Sequence, residues 1–315
     1  MTSAQLSFAQ DDRPSLYDVS PVYRKAVVDA NKVTLEIVED VTRQAIAEFG
    51  TDADKALMDN ISFRMTQDWH PYQAYAQGVG ENRVISFDIG FISFLHGLIT
   101  AVQLERTKGV DATDEYLENF YDYVAGDTNQ IGDHLSRYFT SQSEVQKFLS
   151  DQKIQNEISS ILFFSLTGVA LHEFCHHKLG HTDVLLTNAD SRTLTREQLA
   201  KLSEKSIARE ISADVCGIDH AVKMGFPPGA SYLFANAIGI MQDNIIKRTS
   251  QENYMRSHPM SAQRLMSAMK RNEEAMNNFN NLPNLPEEQK FSKAQIEDLS
   301  VKMIAALDHL NNIGR

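Results

Sequence analysis

Cysteine is scarce in this chain: two in 315 residues. That is too few for a disulfide framework, so the fold has to rest on apolar burial. Long hydrophobic runs are missing as well. The longest, near Phe91 to Val102, carries His96 in its middle and falls short of the roughly eighteen residues a membrane span needs. Positive charge is outnumbered, 30 Lys and Arg against 42 Asp and Glu. A net charge of −12 offers neither phosphate nor acidic lipid an attraction, which sets aside nucleic acid and anionic membrane as main partners. The opening MTSAQLSFAQ ends in small residues like a signal-cleavage site, but has no basic start and no adequate apolar h-region. As written the chain reads as soluble and cytoplasmic, and as periplasmic if a start upstream adds a signal peptide. There is no internal repeat or low-complexity tract.

What is present is chemistry. His172-Glu173-Phe174-Cys175-His176 is an H-E-x-x-H run, and two histidines four apart lie about 40° from each other around a helix, so both can reach one metal ion. The glutamate after the first histidine points to where a metal-activated water would lie, as a general base requires. Upstream, residues 154 to 171 read IQNEISSILFFSLTGVAL, apolar on more than one face, as in a helix buried mid-domain. Polar groups delivered into such an interior are costly unless they are used. The bland alternative is a histidine-rich exposed helix end, since His177 and His181 follow and Gly180 resembles a helix stop.

A third ligand has to come from elsewhere. Leu179 and Thr182 stand where the metzincin pattern needs glycine and histidine, which excludes that class. Glu210 and Asp214 lie in an amphipathic segment from about 195 to 223, with Thr195 as N-cap. They are four apart and share a face, so one can bind metal while the other holds a histidine ring nitrogen. Taken alone, the pair also fits a solvated acidic face.

Together these motifs resemble the gluzincin metallopeptidases of the HtpX and CAAX-prenyl-protease type, whose pattern joins H-E-x-x-H to E-x-x-A-D and then H-P-x-x-x-x-R. The second element here is Glu210-Ile211-Ser212-Ala213-Asp214 and the third is His258-Pro259-Met260-Ser261-Ala262-Gln263-Arg264. His181 also falls where many members carry a histidine. The likeness covers roughly residues 61 to 104 and 155 to 275. A narrower similarity, in layout, is to the Lit-type phage-exclusion peptidases. The resemblance implies an α+β, mainly helical, zincin-type catalytic domain with a small antiparallel sheet beside the H-E-x-x-H helix. It implies one catalytic Zn2+ held by His172, His176 and Glu210, with Asp214 fixing a histidine tautomer. Glu173 is then the base and His258 helps to stabilise the oxyanion. Arg264 orients the His258 segment through a carboxylate or contacts substrate. Ile85, Ser86 and Phe87 form the strand edging the cleft, where an extended substrate pairs. Gln73-Ala74-Tyr75 departs from the family's asparagine-alanine-phenylalanine.

The implied activity is zinc-dependent endopeptidase hydrolysis of protein or peptide substrates. The alternative is a latent or non-catalytic zinc-containing binding module. Residues 1–280 read as the catalytic domain, with a helical segment at 20–50 and an insert at about 108–150, and 281–315 as a linker and C-terminal helix. Pro21 opens the first helix and Gly50 closes it, with Val22, Ala26, Val33, Ile37, Val41 and Ala45 as its apolar positions. Residues 61 to 67 read as a strand. The insert's aromatics, including Tyr116, Phe120, Tyr121 and Tyr123, fit either a packed hairpin or a lid over the cleft. Cys175 and Cys216 read as small packing groups between neighbouring helices, with a disulfide or a redox-sensitive thiol as the sharper alternative.

Overall fold

The computed structural model describes residues 21–66, 74–124, 135, 137–182, 196–226 and 262–293. The order along the chain is α1 (Pro21–Phe49), α2 (Asp52–Asp59), β1 (Ile61–Thr66), β2 (Ala74–Gln77), β3 (Arg83–Asp88), α3 (Ile89–Lys108), α4 (Ala112–Val124), α5 (Gln142–Ser150), α6 (Gln152–Lys178), α7 (Arg196–Lys223) and α8 (Ala262–Asn280), then a 3-10 turn, Glu287–Gln289. The architecture is mainly helical with one small sheet. His258, Gln73, Thr195 and the last helix expected beyond residue 293 lie outside the described residues, as do the side chains of Phe120, Tyr121 and Tyr123.

α6 is the central element. Asp151 starts it, its Oδ1 accepting from the Lys153 and Ile154 amides at 2.9 and 3.3 Å, which satisfies two otherwise orphaned donors. From Leu162 onward most of its side chains are buried, including Leu166, Val169, Ala170, Leu171 and Phe174. By length and composition α6 is apolar enough to cross a membrane, but 67% of its most hydropathic window is buried inside the structure, as in any core helix. The surrounding core takes in Phe87, Phe91, Phe94, Ile92 and Ile99.

The sheet is mixed, not antiparallel, and its order is β1-β3-β2. β3 pairs in parallel with β1, Ile61 opposite Arg83 through Thr66 opposite Asp88, and antiparallel with β2, Ala74 opposite Phe87 through Gln77 opposite Val84. The β2–β3 turn uses glycines at positive φ, Gly78 at 87° and Gly80 at 62°, a conformation other residues rarely adopt. Ile85, Ser86 and Phe87 therefore occupy a central strand, fully buried and backbone-paired on both sides. The expectation that they edge a cleft is overturned. Parallel pairing with β1 fills the side on which a substrate strand would have to add. Among the described strands, β2 is the outer one that packs on α6.

α1 runs over the predicted span but turns a different face inward. Leu35, Val38, Thr42, Ala45 and Ile46 are buried, whereas Val33 and Ile37 stay 55% and 49% exposed. Two interleaved apolar rows were available at helical spacing, and packing against α6 and α3 selected the row containing Leu35 and Val38. In the insert, Tyr116 stacks on Phe94 with centroids 6.1 Å apart and donates its hydroxyl to the Phe94 carbonyl at 3.3 Å. That contact makes α4 a packed element against α3.

Candidate metal centre

Two helices bring the centre together. α6 carries His172, Glu173 and His176, and α7, packed along it, carries Glu210 and Asp214. The approach is closest at Gly217: a Cβ there would lie 3.2 Å from the His172 nitrogen and 3.3 Å from its Cα. A larger residue at 217 would push α7 off α6 at the level of the histidines. With Ala213 fully buried, Gly217 continues a row of small residues beside Glu210 and Asp214. Its role was not anticipated, although the i, i+4 spacing of Ala213 and Gly217 is visible in the sequence.

The donor atoms converge. His172 Nε2 and His176 Nε2 are 3.0 Å apart, Glu210 Oε2 is 3.3 Å from the former, and Glu210 Oε1 is 3.3 Å from the latter. His172 and His176 are 8% exposed and Glu210 3%. Donors sharing a tetrahedral zinc at bond lengths of about 2.0–2.1 Å stand about 3.3 Å apart, so the spacing suits that ion. Charge points the same way. Glu210, which is buried, and Asp214, whose side chain is 16% exposed, both pair with one buried guanidinium, Arg264. A cation between the imidazoles, proton or metal, would offset the negative charge that Arg264 leaves uncompensated.

Behind the donors, the orienting contacts are complete for His172. Its Nδ1 donates to Asp214 Oδ1 at 2.9 Å, which turns the bare Nε2 lone pair toward the centre. Arg264 Nε and Nη2 donate to Asp214 Oδ2 and Oδ1 at 2.6 and 2.9 Å, and Arg264 Nη1 lies 3.2 Å from Glu210 Oε2. Arg264 thus ties α8 to both carboxylates of α7. The carboxylates it bonds are Asp214 and Glu210, and the His258 segment it was expected to orient lies outside the described residues. Burial of Asp214 would raise its pKa, but Arg264 and His172 outweigh that and hold it down at about 2. Burial likewise disfavours a charged His172, yet the hydrogen bonds it donates to Asp214 and Glu210 lift it to about 10. The pocket demands positive charge where the two imidazoles meet, and a metal cation answers the same demand.

His176 is oriented by a turn. Gly180, at φ 70°, closes α6 in the left-handed region, with the Gly180 amide donating to His177 O and the His181 amide to His176 O at 3.1 and 2.9 Å. The chain folds back so that His181 Nδ1 lies 2.9 Å from His176 Nδ1, while His181 Nε2 is 3.4 Å from Ser212 Oγ. The helix stop and His181 therefore back the ring of His176. His177, 2% exposed, places its Nε2 3.2 Å from the Val84 carbonyl and pins β3 to α6.

Cys175 and Cys216 are joined as a disulfide, with Cα atoms 6.0 Å apart. The reading of both as mere packing groups is corrected: the close apposition of α6 and α7 at Gly217 sets their Cα atoms at bridging distance. The bond links the helix that carries both histidines to the helix that carries Glu210. Comparison with family models, with curated proteins and with solved structures returns no match to this chain.

Proposed function

We propose that the chain is a zinc-dependent endopeptidase that hydrolyses peptide bonds of protein substrates, of the gluzincin kind its three motifs resemble. One observation carries the reading: His172, His176 and Glu210 set their donor atoms 3.0 to 3.3 Å apart in a buried pocket, with Glu173 next to His172 on the same helix. Bound by these three residues, Zn2+ would supply Lewis acidity toward a carbonyl and lower the pKa of water from about 15.7 toward about 7.

The remaining work falls to the chain. Glu173, 2% exposed, accepts the proton of the attacking water and passes it to the departing amine nitrogen as the C–N bond breaks. Arg264 holds Glu210 and Asp214 in place beside that base. Asp214 holds His172 in one tautomer throughout. Substrate backbone has no pairing side on Ile85–Phe87, so recognition lies elsewhere around the pocket.

Zinc content of purified wild type and Glu173→Gln, followed by incubation of both with casein and with cell lysate and fragment analysis by mass spectrometry, tests the reading. One zinc in both and cleavage by wild type alone is the expected result. Equal cleavage by Glu173→Gln would sink the mechanism, zinc without cleavage would favour a binding module, and absence of zinc would refute the ligand set.

A further inference from the structure

A second group of potential ligands lies one step away from the histidine centre. Cys216 and His220 are four apart on α7 and so share a face. Cys175 meets them from α6. The two sulfurs and a ring nitrogen of His220 all lie within 4.8 Å of one another. Cys175 is fully buried and His220 is 4% exposed. Lys178 Nζ lies 3.3 Å from His220 Nε2 and 2.8 Å from Asp54 Oδ1, so the nearby cation is matched by its own carboxylate. Burial together with the Lys178 charge pushes the His220 pKa down to about 4, which leaves its ring neutral near pH 7 and able to act as a ligand.

We propose that, in the reduced chain, Cys175, Cys216 and His220 form a second cation site, selective for thiophilic divalent ions such as Zn2+ or Cd2+. A thiol or phosphine reductant delivers two electrons, two protons enter, and the Sγ–Sγ bond breaks to give two thiols. Binding of the divalent ion then releases both thiol protons, so two thiolates neutralise its charge. Thiolates around one tetrahedral zinc stand about 3.5–4 Å apart at Zn–S bonds of about 2.3 Å. The present cluster reaches that spacing by opening the bond with little movement of α6 or α7. Thiolate ligands explain the selectivity, since soft sulfur donors favour zinc and its heavier congeners over magnesium or calcium. The locus is therefore either a disulfide or a metal site, and the redox state of its surroundings selects between them.

The probe is Cd2+, added to metal-free full-length chain before and after phosphine treatment, with bound metal counted and the ultraviolet sulfur-to-cadmium charge-transfer band recorded. The oxidised chain should take one ion without the band, and the reduced chain two ions with it. Cys175→Ser/Cys216→Ser should take one ion without the band in either condition, and His220→Ala should lower occupancy of the second site at equimolar metal. An oxidised chain that binds none beside a reduced chain that binds one with the band would remove the proposed hydrolytic centre and leave this site standing. A reduced chain with two titratable thiols but no band overturns the proposal. So does a loss of circular dichroism on reduction that metal fails to restore.

Discussion

Asp214 Oδ1 lies 2.9 Å from His172 Nδ1, and this one contact decides which face of the imidazole is available to a metal. Proton on Nδ1 means lone pair on Nε2, the nitrogen that faces His176 and Glu210. Substitution Asp214→Asn keeps the shape and an acceptor oxygen but removes the charge. Zinc affinity, read by competition with a chromogenic chelator, is expected to fall about 10–100-fold with circular dichroism unchanged. Unaltered affinity would mean that the ring is oriented without Asp214.

Arg264 is 4% exposed and bonds two carboxylates at once. Arg264→Met deletes the guanidinium and leaves buried Glu210 and half-buried Asp214 with no cation from α8. A buried pair broken from one side costs about 3–5 kcal/mol, so the metal-free variant should unfold at clearly lower urea. Arg264→Lys should recover only part of the loss, because a single ammonium cannot reproduce the two parallel bonds to Asp214. Equal midpoints for all three chains would show that α8 does not dock through this residue.

The parts of this site that a reader of the sequence can find are those fixed by one helix. His172, Glu173 and His176 follow from a single helical repeat, and Glu210 with Asp214 from another. Parts that depend on how elements meet are less legible. β3 lies in the middle of the sheet because β1, distant in sequence, pairs with it in parallel while β2, the strand before it, takes the outside. Alternation in Arg83–Phe87 says strand but cannot say which neighbours it has. Likewise α1 offers two apolar rows, and only contact with α6 and α3 decides that Val33 and Ile37 stay outside. The disulfide spans 41 residues, and its pairing needs the close approach at Gly217 that no local pattern announces.

Acid should destabilise the metal-free chain in two stages. His220 titrates at about 4 in the fold instead of 6.5, so the unfolded chain binds its proton first. Its contribution to stability is intact above about pH 6.5 and is lost as pH falls toward 4. Asp214, held at about 2 instead of 3.8, adds a second loss between those values. His172, lifted to about 10, adds stability as pH falls to 6.5 and is constant below that. Urea midpoints measured from pH 6.0 down to pH 4.5 should therefore decline in wild type and decline less in His220→Gln, whose side chain does not take up a proton. Parallel slopes for the two chains would show that His220 is protonated as readily in the fold as outside it.

The disulfide should matter to stability apart from any metal. It closes a loop across a sequence separation of 41, and the chain-entropy relation assigns such a loop about 4 kcal/mol, through restriction of the unfolded ensemble. Both sulfurs lie between α6 and α7, and two serines there would add unpaired hydroxyls at a partly buried site, so the double variant should lose at least that amount. Urea unfolding of oxidised wild type and of Cys175→Ser/Cys216→Ser, both metal-free, gives the comparison, and the slope must be watched because a freed unfolded chain exposes more surface. Reductant should lower the wild-type midpoint and leave the double variant where it was. If reductant moves neither, the sulfurs do not pair in solution, and the contact of α6 with α7 rests on packing at Gly217 and on polar pairs such as His172 with Asp214.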